Sequence, residues 1–233
     1  MKNLDSVAIL VQARLNSQRV PQKMIRPFAD STLFGLVLDK IIKALPRQRE
    51  NIWVSVNEPE LIEIAKQKGV NIYYRSEESA NNDNSLQKIY EWHDQLPGNY
   101  KHVMLVSGCN PLLSSETIAN FYHQFVKQEE ENLFAVIEKK QYYWNKEGAL
   151  VTPWPEDQTI MNTKAVEPTY EAAHVLYASR LDLIKDDRFM GDFEKPGGIK
   201  LYTMPELEAF DIDHEWQFTT GEILYKNIFK EYE

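Results

Sequence analysis

Three short apolar runs, bounded by polar residues and separated by segments of helical period, constrain this chain more than any other feature. Val7–Gln12 (VAILVQ), Ile52–Val56 (IWVSV) and His102–Val106 (HVMLV) carry apolar side chains at nearly consecutive positions, without the polar alternation of a strand that has one wet face. Strands of that kind are covered on both sides, as in a parallel sheet held between two layers. Between the first two runs, Leu33, Leu36, Val37, Ile41 and Leu45 recur at helical spacing behind a Ser31-Thr32 cap and stop before Pro46. Residues 60–68 give a second helical pattern closed by Gly69, residues 70–74 another strand, and residues 86–96 a further helix. Strand and helix in alternation predict an α/β fold, a three-layer sandwich around a mainly parallel mixed sheet with helices on both faces. Ligands of such sheets bind at the carboxyl ends of the strands, which directs attention to the loops after Val11, Val56, Tyr74 and Val106.

The rhythm breaks over 138–169, where Tyr142, Tyr143, Trp144 and Trp154 stand among Pro153, Pro155 and Pro168 with no helical period. Two readings stand level: an arm that packs on a second subunit, since clustered aromatics favour interfaces, or a long loop folded on its own domain. A strand around 174–178, a helix over about 180–187, a strand at 199–203, a short strand at 209–212 and a closing helix over 214–232 follow. The 233 residues read as one domain, 1–233, with an excursion at about 138–175.

Composition narrows the class of function. A formal charge of −9 opposes sequence-independent nucleic-acid binding, so any phosphate site must be local. The single cysteine, Cys109, forbids an intrachain disulfide and suits a reducing compartment. No apolar run is long enough to span a bilayer, and the first residues lack the pattern of a signal peptide, so a cytoplasmic protein is expected.

Against this acidic background the loop after the first strand stands out. Residues 12–28 (QARLNSQRVPQKMIRPF) gather Arg14, Arg19, Lys23 and Arg26 with the donors Asn16 and Ser17. Cations and donors at the carboxyl end of a strand are what a triphosphate needs; a solvated basic loop is the bland alternative. Near the other end of the chain, Asp211 and Asp213 flank Ile212, and strand alternation would turn both carboxylates to one side where they can share a cation. The residues alone leave this reading level with one in which Asp213 caps the last helix and Asp211 is solvated. Cys109 has no histidine and acid arranged around it in the sequence and reads as a packing thiol.

The segment ARLNSQRVPQKM resembles the signature loop of the CMP-sugar synthetases, the acylneuraminate cytidylyltransferases and their relatives for other sugar acids such as the CMP-Kdo synthetases, of form A-R-x-x-S-K-R/G-x-P-x-K-N. Arg14, Ser17, Arg19, Pro21 and Lys23 fall on motif positions, with Gln18 and Met24 as departures. Residues 74–83 resemble R-P-x-E-L-A-x-D, and 105–112 resemble L-L-Q-P-T-S-P-L, with Ser107 in place of Gln and Leu113 in place of the Arg that follows. Residues 209–218 look like the D-I-D-x-x-x-D-F element, and 172–177 resemble F-R-P-N-G-A-I-Y, with Ala173-His174 where Asn-Gly stands in sialic-acid enzymes.

The resemblance implies a nucleotide-diphospho-sugar transferase-like (Rossmann-like) fold with a small dimerisation excursion, and transfer of CMP from CTP to an acidic sugar with Mg²⁺. It implies nucleotide contacts from Ala13, Arg14, Asn16, Ser17, Arg19, Lys23, Arg75, Asp83 and Ser107, and acceptor contacts from Glu167, Tyr170, His174 and Arg180. It also implies metal ligation by Asp211 and Asp213, with Arg14, Lys23 and Asp213 closest to the chemistry, and a cytoplasmic homodimer serving surface glycan synthesis. Nucleic acid and membrane are not expected partners. The alternatives are a 3-deoxy-octulosonate or phosphorylated small acceptor, and a nucleotide-binding relative without turnover.

Overall fold

The computed structural model describes residues 2–81 and 84–229. In chain order, β1 (Val7–Gln12) leads through a two-residue hairpin, β2 (Pro27–Phe28) and β3 (Ser31–Thr32), into α1 (Leu33–Ala44). Then come β4 (Ile52–Val56), α2 (Pro59–Lys68), β5 (Asn71–Tyr74), two short helices α3 (Glu77–Asn81) and α4 (Leu86–Ile89), and β6 (His102–Val106). The second half carries α5 (Ser115–Lys127), β7 (Leu133–Lys139), β8 (Thr169–Arg180), β9 (Leu201–Thr203) and α6 (Glu215–Leu224).

Among the described residues seven strands make one sheet in the order β5-β4-β1-β6-β8-β7-β9. Only β8 runs against its neighbours, while the β1 pairs with β4 and β6, the β4 pair with β5 and the β7 pair with β9 are parallel. The chain moves outward from β1 to β4 and β5, then returns to the other side of β1 for β6. At that reversal the loops after β1 and β6 leave in different directions, and a crevice opens between them at the carboxyl ends of the strands.

Local chemistry explains the boundaries. Thr32 caps α1 by accepting from the Gly35 amide, and Gly69 closes α2 in the left-handed region at φ 63°. Val7, Ile9 and Val11 are fully buried against α1, α2, α5 and α6, while Ala8 and Leu10 face Trp53, Trp92, Leu181 and Ile184. Each fully buried Ile or Leu contributes about 1.5–3 kcal/mol. The second face is covered by 3₁₀ turns at Glu91–Asp94 and Leu181–Asp186 and not by long helices, so the expected sandwich is lopsided.

Several sequence expectations are corrected. The helix over 86–96 is α4 followed by a 3₁₀ turn, broken at Tyr90. Residues two apart on a helix point in nearly opposite directions, and the break lets Tyr90 and Trp92 both pack into one aromatic group with Phe189. The helix over 180–187 is likewise a 3₁₀ turn. Residues 209–212 form no strand; a 3₁₀ turn at Glu206–Ala209 runs into an extended segment, because the buried Glu208 turns back to accept from the Ser114 amide and hydroxyl. The closing helix is α6 followed by a π turn over Tyr225–Phe229, and its expected continuation to 232 lies outside the described residues. Two elements, α5 and β7, were not marked by the pattern reading.

β7 and β8 extend past the end of β6, Lys139 pairing with Thr169 while β6 stops opposite Leu176. Residues 140–168, which join them, therefore leave the sheet at the same end as the crevice. In this arm Tyr142 packs on Trp144 and Trp154 at centroid distances of 6.3 and 5.5 Å.

Candidate active site

The loop after β1 is anchored at both ends and lined with donors. Ala13 is buried and its amide donates to Ser55 O; Glu58, at the start of α2, accepts from the Leu15 amide at 2.7 Å. Arg14 donates to Ala80 O at 2.9 Å, Asn16 to Asn81 Oδ1 at 2.8 Å, and the Ser17 hydroxyl accepts from the Val20 amide. This loop lines a cavity of about 580 Å³ with Arg14, Asn16, Ser17, Arg19, Lys23 and Cys109 on its wall. A second cavity of about 350 Å³ shares Gln12, Ala13 and Arg14 and continues past Arg75, Tyr90, Ser107 and Tyr177. The two form one bent cleft over the β1 and β6 ends. Arg26 is not in it; its guanidinium bonds Glu215 at 2.5 Å and lies 4.1 Å from the centre of the Phe218 ring.

The acid pair meets this loop directly. Arg19 bonds Asp213 Oδ1 at 2.7 Å, Lys23 Nζ lies 3.7 Å from the same oxygen, and Lys23 also donates to Ile212 O at 2.5 Å. Lys23 is only 9% exposed, so its ammonium fastens the 211–213 segment to the loop from inside. The segment is held from a third side where the Ile212 amide donates to Cys109 O and Asn110 donates to Ala209 O. Ile212 is fully buried between two half-buried aspartates, so the alternation survives without a strand. Asp213 does not cap α6; His214 is the cap residue, and Gln217 accepts from the amides of both.

Burial pushes the Asp211 carboxyl above the usual carboxylate range, the charge of Asp213 adds to this, and Lys23 opposes it. Asp211 Oδ1 is buried with no hydrogen-bond donor. A buried carboxylate oxygen with unused lone pairs, beside a second acid, fits a hard divalent cation. Among the described residues no group of three or more His, Cys, Asp or Glu converges, so two carboxylates are what this pair would offer a cation. Arg75 is 5% exposed and is held by Ser79 through Nε and Nη2. Burial first and Arg14 second lower its pKa, yet a guanidinium remains charged. The Cys109 thiol is pushed up by burial against the pull of Lys23, which keeps it protonated and unsuited to attack.

The cytidylyltransferase family model matches residues 8–226, a span that takes in the β1 loop, the cleft wall and the acid pair alike. This chain belongs to the cytidylyltransferase family. It is 26% identical over 152 residues to an N-acylneuraminate cytidylyltransferase of Oncorhynchus mykiss, a match covering 64% of this chain and 34% of the relative. It is 23% identical over 236 residues to a pseudaminic acid cytidylyltransferase of Campylobacter jejuni subsp. jejuni serotype O:23/36 (strain 81-176), covering 97% of both. The chain thus spans about a third of the first relative and nearly all of the second. Among solved structures, a CMP:2-keto-3-deoxy-manno-octonic acid synthetase complexed with CTP superposes with a TM-score of 0.65 at 12% identity, covering 94% of this chain and 98% of that one. That likeness shows the nucleotidyltransferase-like fold.

In this cytidylyltransferase the remaining sequence expectations divide. Ser107 lines the cleft, its amide donating to Val175 O and its hydroxyl accepting from the Cys109 amide. His174 is exposed and lines neither cavity, although its neighbour Val175 accepts from the Ser107 amide. Glu167 and Tyr170 are exposed and sit on the projecting start of β8 and the turn before it, beyond the residues that line the two cavities. Arg180 is a correction: it pairs in register with His102, the first residue of β6, and ion-pairs with Asp182 at the opposite end of the sheet. A strand of twelve residues separates it from the rim, and it leaves the acceptor set. Asp83 lies outside the described residues.

Sequence reasoning missed Tyr90, Tyr177, Gln12, Glu58 and Lys40. Tyr90 and Tyr177 wall the second cavity, and Gln12 accepts from the fully buried Trp92 indole. Lys40 is 2% exposed, donates to Pro111 O and Leu113 O at 2.7 and 2.9 Å, and so braces the loop that carries Ser107 and Cys109. The one available signal was a lysine on the apolar stripe of α1, between Val37 and Ile41.

Proposed function

We propose that this cytidylyltransferase transfers CMP from CTP to an acidic sugar of the nonulosonate type or a related sugar acid, releasing pyrophosphate, in the service of surface glycan synthesis. The observation that carries the reading is the contact of Asp213 with Arg19 and Lys23, about 190 positions away in sequence, the two cations lining the loop cavity. The names of the N-acylneuraminate and pseudaminic acid relatives support the acidic-sugar acceptor.

In the proposed reaction an acceptor hydroxyl oxygen bonds to the α-phosphorus of CTP while the bond to pyrophosphate breaks and the hydroxyl proton passes to solvent. The protein supplies position and charge, not a covalent nucleophile. The base and ribose fit the cavity walled by Arg75, Tyr90, Ser107 and Tyr177, and the triphosphate fits the loop cavity. Arg14, Arg19 and Lys23, with the hydroxyl and amide groups of Ser17 and Asn16, neutralise the phosphate oxygens and favour the departing pyrophosphate. Ala13 contributes its small side chain, which lets the phosphates approach the backbone. Asp211 and Asp213 would hold Mg²⁺, which when bound supplies Lewis-acid polarisation of the phosphate oxygens. His174, Tyr170 and Glu167 would line the acceptor's path.

The arm completes the proposal with a homodimer. Tyr143, Trp144, Val151, Trp154, Ile160 and Met161 are all more than 40% exposed on it, an apolar surface suited to a second copy of this chain. No helix among the described residues is long and apolar enough to cross a membrane, and a free, protonated Cys109 suits the cytoplasm.

The functional test is pyrophosphate release from CTP, UTP, GTP and ATP with a panel of N-acylneuraminate, pseudaminic acid, 2-keto-3-deoxy-manno-octonate and neutral sugars. Release with CTP and an acidic sugar is the expected result. Release that depends on a different nucleotide, or that ignores the acid group, overturns the reading.

A further inference from the structure

Gln12 is the last residue of β1 and the one polar side chain on that strand. Side chains alternate along a strand, so Gln12 follows Ala8 and Leu10 onto the face that carries Trp53 and Trp92, away from Val7, Ile9 and Val11. Ala8 and Leu10 are fully buried, whereas Gln12 is half-buried and lines the cleft. A polar group at the carboxyl end of an otherwise apolar strand thus stands where a sheet of this kind meets its ligand.

Chemistry fixes which way the amide of Gln12 is turned. The indole of the fully buried Trp92 places Nε1 2.9 Å from Gln12 Oε1, and an indole N–H can only donate. The amide oxygen therefore faces Trp92, and the NH₂ group is turned away from it. Among the described residues that NH₂ group meets no acceptor. Its support is rigid: the Trp92 ring packs 5.4 Å from that of Tyr90, and Gln12 pairs in register with Ser55 of β4. The two cavities of the cleft share Gln12, Ala13 and Arg14. With base and ribose in one cavity and the triphosphate in the other, the α-phosphate lies at this elbow. Ala13 brings no polar side chain there and Arg14 a full charge; Gln12 brings a neutral donor that needs no reorganisation when the phosphorus changes partners.

We propose that Gln12 is a catalytic residue of the transfer: its side-chain amide, held in place by Trp92, donates a hydrogen bond to a nonbridging oxygen of the CTP α-phosphate and stabilises the charge on it in the transition state. The amide neither gains nor loses a proton; the acceptor oxygen bonds to phosphorus, the bond to pyrophosphate breaks and the hydroxyl proton passes to solvent. The inference rests on the functional reading above and deepens it.

The full chain is tested as wild type, Q12E and Q12M. Glutamate keeps an oxygen for the Trp92 indole but turns a second oxygen, not a donor, toward the phosphate; methionine offers neither group. Melting temperature, the KM for CTP and the single-turnover rate at saturating CTP are measured with the acidic sugar the wild type uses best. Q12E should melt within about 2 °C of wild type, and Q12M about 2–8 °C lower because it strands the indole N–H. The single-turnover rate should fall about 100-fold in both variants, with a smaller change in the KM for CTP. The two diastereomers of the CTP α-phosphorothioate report on the contact itself. With sulfur at the contacted oxygen the Q12M penalty should shrink to about threefold or less, while the other diastereomer keeps the full penalty. A Q12E rate within about twofold of wild type would reduce Gln12 to a partner for Trp92 and overturn the proposal, as would a loss confined to the KM for CTP or a Q12M penalty equal for CTP and both diastereomers. A wild type that releases no pyrophosphate from CTP with any acidic sugar would defeat the functional reading and this inference with it; an active wild type matched by Q12E would defeat this inference alone.

Discussion

Replacing Asp211 with asparagine should make the metal-free protein more stable while nearly abolishing turnover. In the folded chain this carboxylate is largely buried, sits beside Asp213, and leaves Oδ1 without a donor. In the unfolded chain it is hydrated. Burial of the charge and the neighbouring acid both raise the cost of the ionised form, and attraction to Lys23 returns part, for a net penalty of about 1–2 kcal/mol. Asparagine has the same shape without the charge, so D211N should melt about 2–8 °C higher in EDTA near pH 7. The sign of the pH dependence follows from the raised folded-state pKa. The folded carboxyl holds its proton to higher pH than the unfolded one, so wild-type stability is lost as pH rises through the folded value. The advantage of D211N should therefore be full near neutrality and shrink toward pH 3.8, the ordinary value for Asp. Pyrophosphate release with Mg²⁺ should fall by about 100-fold or more. Thermal unfolding from pH 4 to 8 together with steady-state turnover decides the matter. A D211N protein that melts below wild type at pH 7, or that turns over normally, would refute the reasoning.

Other perturbations separate scaffold from site. K40M strands the carbonyls of Pro111 and Leu113 and should cost about 2–4 kcal/mol by denaturant unfolding, with no cost telling against the bracing role. G69A forces a Cβ onto φ 63° and within 3.2 Å of the Arg49 guanidinium, and should lower stability by about 1 kcal/mol in the same assay. Replacing Trp144 and Trp154 with serine removes two half-exposed rings from the arm; light scattering should report a dimer for the wild type and a monomer for the variant, and equal masses would remove the proposed dimer contact. R75M removes a buried guanidinium from the cleft wall and should raise the KM for CTP by about tenfold or more, measured by initial rates.

The sheet was legible where consecutive apolar residues met a sharp stop. Val7–Gln12, Ile52–Val56 and His102–Val106 coincide with β1, β4 and β6, and Thr32 and Gly69 mark helix ends because a capping hydroxyl and a missing Cβ act locally. α5 carries the same kind of local signal, since Ser114 caps it and Ile118, Phe121, Tyr122 and Phe125 are buried at helical spacing. The breaks at Tyr90 and Glu208 were not legible, since each answers a partner distant in sequence, Phe189 in one case and Ser114 in the other. The same division holds for the site. Arg14, Arg19, Lys23 and the two aspartates advertise themselves by charge in a short span. Arg180 misled because charge says nothing about which end of a strand it occupies, and register alone puts it beside His102. Tyr177 lines the cleft beyond a bulge in β8, whose extra residues change which way the side chains on either side of it face.

The most direct test of the account is a crystal structure of the complex with CTP and Mn²⁺. The account predicts the triphosphate along residues 13–23, the base near Arg75, and anomalous density for the metal about 2.1–2.2 Å from carboxylate oxygens of Asp211 and Asp213. Nucleotide bound away from that cleft, or a metal that touches neither aspartate, would contradict it.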